Sequence, residues 1–240
     1  MLHSSISVSS SSTSGAHTPT ATVRPRRSLG LAGSVAAGVA ALVLAFGVPA
    51  ASAATYHVSQ GHADIARASI NPTANKLILG LNHEYTGAYY TAAQVAASPT
   101  KEPVVDVVVT QREGSSWVIK ANDSNPSQLL AGFALSGSEA PEGIGAEGVL
   151  VNGDRIAYSV VPASGNPGSV SVVFDSTQNV VSSGTTHTAR VADVTAPEAL
   201  HVHPKWTFSA AGTYYVTIKA SNVEGKVAAS DPLTYKIVTK

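Results

Sequence analysis

The regular spacing of β-rich runs constrains this chain more than any other feature. From residue 55 onward, short stretches rich in Val, Ile, Thr and aromatic residues recur at intervals of roughly eight to twelve residues, separated by clusters of Gly, Pro, Asn and Ser. Branched and aromatic side chains suit a pleated surface, and punctuation at this interval is the pattern of a sandwich of short strands. Residues 76–82, 116–120, 129–135, 169–174, 213–221 and 232–238 read as strands, and 104–110 as a strand buried on much of both faces. Asn152-Gly153, between residues 148–151 and 155–161, predicts a hairpin. Residues 91–97 predict one or two helical turns with Thr91 as N-cap. Residues 175–197 read as a polar connection. The expected fold is all-β: one immunoglobulin-like antiparallel β-sandwich with elaborated loops over residues 55–240. Two small sandwiches divided near residue 140 are the alternative.

Residues 1–54 follow a different logic. Residues 1–23 are rich in Ser and Thr without apolar periodicity and are expected to be disordered. Arg24-Pro25-Arg26-Arg27, an apolar run over 29–48 and Pro49-Ala50-Ala51-Ser52-Ala53-Ala54 then form a basic, an apolar and a small-residue region in order. That order is an export signal. A membrane anchor competes, since the run is near spanning length, but the Ala-rich exit favours cleavage and leaves no stable membrane span. The expectation is a secreted or cell-surface protein starting near Thr55, by the general or the twin-arginine route. Cleavage just after Ala54 would make His57 the third residue, an arrangement that can wrap Cu(II) or Ni(II). The simpler reading is a histidine in a first strand.

Charge and composition exclude several functions. The chain has 15 basic and 15 acidic residues, and three of its arginines lie in the leader, so the rest is slightly acidic. A nucleic-acid surface needs clustered Lys and Arg. Cysteine is absent, which removes disulfides, thiolate metal sites and a Cys nucleophile. No Gly-x-Ser-x-Gly, His-Glu-x-x-His or phosphate-cradling loop is present, and the expectation is that the protein is not an enzyme. Glu139, Glu142 and Glu147 lie in a Gly-rich stretch without the Asp/Asn spacing of a calcium loop, so it reads as solvated.

What chemistry the sequence offers lies in its histidines. His201 and His203 are two apart, so an extended backbone sends both imidazoles from one face. Pro204 then ends the strand. Trp206, Phe208, Tyr214 and Val216 alternate as the apolar side chains of a buried strand pair around an Ala-Gly turn. Near the other end, His62 and Asp64 share a face by the same rule.

Taken together, Gly61-His62-Ala63-Asp64-Ile65, His201-Val202-His203-Pro204-Lys205-Trp206-Thr207-Phe208 and Gly212-Thr213-Tyr214 resemble the actinobacterial surface-anchored protein domain, also described as choice-of-anchor M. The likeness spans about residues 55–222, with its specific motifs at the two ends. Pro162-Ala163-Ser164-Gly165-Asn166-Pro167-Gly168 departs from a tighter Gly-Pro-Gly turn, and no C-terminal anchor of the kind many members carry follows the last strand. The resemblance implies export and a role beside a metal ABC transporter of the zinc/manganese type or its binding protein. It also implies that the two ends meet. His62, His201 and His203 would then be nitrogen ligands to a divalent metal, with Asp64 as a fourth ligand or as an acceptor behind them. Zinc suits that set best, copper would accept the imidazoles in a flatter arrangement, and manganese would want more oxygen. His83 and Glu84 could join, whereas His187 sits in the polar connection. The competing reading is an adhesion or scaffold module whose histidines only tie strands together.

Overall fold

A computed structural model describes residues 55 to 122 and 125 to 240. Residues 1–54, the stretch expected to be a leader and export signal, lie outside the described residues. The strands are β1 (Tyr56–Val58), β2 (Gly61–Asn71), β3 (Lys76–His83), β4 (Ala88–Tyr90), β5 (Val105–Val109), β6 (Arg112–Glu113), β7 (Ser116–Ile119) and β8 (Leu129–Ser136). They continue as β9 (Arg155–Pro162), β10 (Val170–Val173), β11 (Val181–Ser183), β12 (Thr186–Arg190), β13 (Glu198–Val202), β14 (Lys205–Phe208), β15 (Gly212–Asn222) and β16 (Leu233–Thr239). A short α-helix, α1 (Ala92–Val95), follows Thr91, whose backbone N–H donates to Gln94 Oε1 at 2.9 Å. The fold is an all-β sandwich.

Among the described residues, three sheets build it. A seven-stranded sheet runs β1-β5-β16-β15-β9-β12-β11, a five-stranded sheet β13-β8-β2-β3-β4, and a four-stranded sheet β10-β14-β7-β6. Each mixes strands from before and after residue 140. Most pairings are antiparallel, while β1 with β5, β5 with β16 and β2 with β8 are parallel. Alternation decides which face is buried: along β16, Leu233, Tyr235, Ile237 and Thr239 point inward and the residues between them are half-buried, the period-two pattern of a one-sided strand. β5 is buried along its whole length, Asp106 among its valines included, as expected of a Val-rich strand covered on both faces.

Aromatic side chains join the layers. Phe133 of β8 stacks on Tyr158 of β9 at 4.9 Å between centroids and meets Trp206 of β14 edge-on at 5.7 Å. Tyr235 of β16 reaches across to donate to the Gly80 carbonyl. Tyr214, fully buried, donates to the Ala210 carbonyl at 2.8 Å and accepts from the Ala210 N–H at 3.1 Å. A tyrosine bonded back to the chain just before its own strand is a corner device of Greek-key sandwiches.

Three local expectations change. Trp206 and Phe208 are buried with Tyr214 and Val216, but the two pairs occupy different sheets, and the turn between β14 and β15 crosses the sandwich. Phe208 meets Tyr214 edge to face at 5.1 Å between ring centroids rather than across a strand pair, because β15 is already paired on both sides by β16 and β9. Asn152-Gly153 makes a turn but no hairpin. The Asp154 carboxylate folds back on the Val151 N–H at 2.9 Å and holds Lys226, while β12 and β15 take both edges of β9. Finally, residues 175–197 contain β11 and β12, so His187 is a buried strand residue whose Nδ1 lies 2.9 Å from Ser182 Oγ. Burial lowers its pKa.

Candidate metal centre

The site straddles β8. In the order β13-β8-β2, His62 lies opposite Leu130, Asp64 opposite Gly132, and His201 opposite Ala134. His203 follows β13 directly and is held by Gln178, whose amide accepts from the His203 N–H at 2.7 Å and donates to its carbonyl at 2.8 Å. Nothing stands between the two flanking strands at residue 132, because it is glycine. A Cβ there would come within 2.8 Å of His203 Cδ2 and 3.1 Å of both His203 Nε2 and Asp64 Oδ1. The missing side chain is the floor of the site.

His62, Asp64, His201 and His203 converge. Nε2 of His62 lies 2.7 Å from Nε2 of His203 and 3.0 Å from Nε2 of His201. Asp64 Oδ1 is 2.9 Å from His201 Nε2 and 3.6 Å from His62 Nε2, yet it is buried and accepts no hydrogen bond of normal geometry. Four ligands at about 2.0–2.2 Å from a zinc ion would stand about 3.3–3.6 Å apart at the edges of a tetrahedron. An ion would open the shorter contacts by a few tenths of an ångström.

The groups behind the rings assign their protons. His62 Nδ1 faces Glu84 Oε2 at 2.6 Å, and His201 Nδ1 faces Glu198 Oε2 at 2.7 Å. The hydrogen bond with His62 holds the Glu84 carboxyl below its ordinary range. Burial alone would raise Glu198, but the His201 ring and the Arg67 guanidinium outweigh it and hold it at about 2. Ionised carboxylates only accept, so each Nδ1 carries a proton and each neutral ring turns a bare Nε2 lone pair inward. Lone pairs that close, beside a carboxylate oxygen, require a positive charge among them. Carboxylate, imidazole and metal in line is the usual arrangement behind metal-ligating histidines.

Without an ion, a proton takes that place. Burial would depress the His201 pKa, but Asp64 and Glu198 carry it up to about 10. Burial, with the charge of the His201 ring beside it, brings His203 down to about 4. Burial pushes the Asp64 carboxyl above the usual carboxylate range. A single shared proton thus compensates a carboxylate with no access to water. With neutral rings, Asp64, Glu84 and Glu198 against Arg67 leave two negative charges, which a divalent ion cancels.

This His/Asp cluster could hold a metal ion. Glu84 joins it from behind, whereas His83 does not: its Nε2 lies 2.9 Å from the Gln60 carbonyl and its Nδ1 3.1 Å from Thr86 Oγ1. His57 belongs to β1, its Nδ1 2.5 Å from Asp106 Oδ1, and the Tyr56 N–H that a square copper site would need is bonded to the Val104 carbonyl. Glu142 accepts from the Tyr89 hydroxyl.

Glu198, Arg67, Gln178 and Gly132 are not legible as site residues from strand periodicity. Strict alternation puts Glu198 and His201, or Asp64 and Arg67, on opposite faces. Irregularities in register between Glu198 and Leu200 and between Asp64 and Ala66 reverse that, since a bulge's extra residue turns the following side chains over. Gly132 did carry a signal. An isolated glycine within the apolar run 129–135 points to a close approach.

Comparison with family models, with curated proteins and with solved structures found no match. Among the described residues, no helix is long and apolar enough to cross a membrane.

Proposed function

We propose that this is an exported protein of the cell envelope that binds one divalent ion, zinc in preference to copper or manganese, and buffers it or hands it on. The observation that carries the reading is the convergence of three Nε2 atoms and Asp64 Oδ1 on one point, with the Nδ1 protons of His62 and His201 committed to Glu84 and Glu198. Three imidazoles and one carboxylate are a zinc-type set, and a square copper geometry would fit four converging donors less well. Manganese would draw on more oxygen. The reading as a non-enzyme is supported by the ligand count, because four protein ligands leave a tetrahedral ion no position for a reacting water. Side-chain exposures of 22% for His62 and 27% for His201 leave the ligands within reach of an exchanging partner. Export rests on the leader pattern. Membership of the surface-anchored domain family, and with it a metal ABC transporter or its binding protein as partner, rests on the Gly-His-x-Asp and His-x-His-x-x-Trp-x-Phe motifs.

Metal content tests the reading. Protein purified without chelators is expected to carry one equivalent of zinc by elemental analysis, and the double substitution His201→Ala, His203→Ala to carry none while keeping its β-sheet spectrum. Wild-type protein that stays metal-free with micromolar zinc present would instead favour the scaffold reading.

A further inference from the structure

Two sets of possible ligands overlap at this site. One is His62, Asp64, His201 and His203; the other is Asp64, Glu84, Glu198 and His201, and in each set one ligand atom per residue lies within 4.8 Å of the rest. The second set has three carboxylates to one imidazole, the oxygen-rich composition that manganese, magnesium or calcium takes. Arg67 already supplies it with a cation. Its Nη1 reaches Asp64 Oδ2 at 3.4 Å and pairs with Glu198 Oε1, and its Nε donates to Ser136 Oγ at 3.1 Å. A guanidinium cannot give up its proton in a protein, so this charge is permanent. Water reaches the same place through a cleft of about 740 Å³ that Arg67, Glu84, Glu198 and His201 help to line. A hydrated ion would therefore have a path to Glu84 and Glu198. The irregularity in β2 that turns Arg67 onto the Asp64 face puts a fixed cation among the carboxylates of the second set.

We propose that Arg67 is a specificity-determining residue, a built-in monovalent cation that restricts the site to a single ion and excludes a second, oxygen-preferring one. The inference rests on His62, Asp64, His201 and His203 being ligands. Removing the guanidinium leaves three carboxylates around one imidazole-held divalent ion, a net negative charge that draws a second cation to the vacated place.

The test uses Arg67→Gln in the whole protein, loaded with zinc and titrated with Mn²⁺. Bound ions are counted by native mass spectrometry, and the thermal midpoint is followed with manganese concentration. Wild type is expected to hold one zinc and no manganese, with an unmoved midpoint. Arg67→Gln is expected to hold one zinc and one manganese, and its midpoint to climb with manganese. Arg67→Lys, which keeps the charge, is expected to stay at one ion. The proposal is overturned if Arg67→Gln stays at one ion, if it remains unfolded at every manganese concentration, or if Arg67→Lys takes two. Wild type binding two ions sinks this inference and leaves the ligand assignment standing, whereas wild type binding none sinks both.

Discussion

Gly132→Ala adds one methyl group at the floor of the site, and the geometry sets its effect. Gly132 lies within β8 with an ordinary strand backbone, so alanine costs nothing in conformation. The new Cβ would sit 2.8 Å from His203 Cδ2, against 3.4 Å for an ordinary contact, so the ring must retreat by about 0.6 Å, whereas metal–ligand distances hold to about 0.2 Å. Asp64 Oδ1, at 3.1 Å from the same Cβ, is also crowded and has no room to move inside the sheet. Loss or tilt of one ligand in four should weaken zinc binding roughly 100-fold, the upper end of what damage behind a metal ligand costs; that is about 2.8 kcal/mol. Stability in chelator should change less. Overpacking costs about 1–3 kcal/mol, and replacing a glycine returns about 0.4–1 kcal/mol from the unfolded chain. The assay is competition against a chromophoric chelator, with thermal melts in zinc and in chelator, and Gly165→Ala as control, since nothing lies within 4 Å of a Cβ there. Wild-type zinc affinity in Gly132→Ala would refute the placement of the ion between His203 and Asp64.

Three further outcomes follow from the same structure. With His201 raised to about 10 and His203 lowered to about 4, zinc binding near pH 7.5 must expel the His201 proton. Calorimetry in buffers of different ionisation heat should show at least one proton released, and affinity should rise about tenfold per pH unit through this range; binding with no proton release would contradict the assigned protonation. By linkage, the raised His201 stabilises the chelated protein fully below its ordinary 6.5 and progressively less as pH rises towards about 10, a decline that melts in chelator can follow. Tyr214→Phe removes both hydrogen bonds of the corner, while the Ala210 carbonyl keeps the Thr239 hydroxyl as a donor at 2.9 Å, so it should cost about 1–2 kcal/mol in urea unfolding, with zinc affinity unchanged. A change in affinity would mean that the corner and the metal centre are coupled.

Much of the architecture was legible in the residues. The β-rich runs, the short helix after Thr91 and the end of β13 shortly before Pro204 are consequences of local chemistry, since branched side chains, a capping threonine and a proline act over a few residues. The pairing of His201 with His203, and of His62 with Asp64, follows from strand periodicity alone. Where the reading failed, tertiary partners had overruled a local preference. Asn152-Gly153 turns the chain but forms no hairpin, because β9 finds both its neighbours elsewhere. Likewise, the turn after Phe208 crosses between sheets because β15 is already paired on each side.

What the sequence determined by itself was a β-sandwich with two pairs of like-facing metal-type side chains far apart in the chain. Only the tertiary structure decided that the pairs flank one strand, that this strand has a glycine between them, and that bulges bring Glu198 and Arg67 to the same face. The reason is physical. Alternation is a property of each strand and can be read residue by residue, whereas which strands become neighbours, and where a bulge reverses a face, depends on packing the whole chain at once.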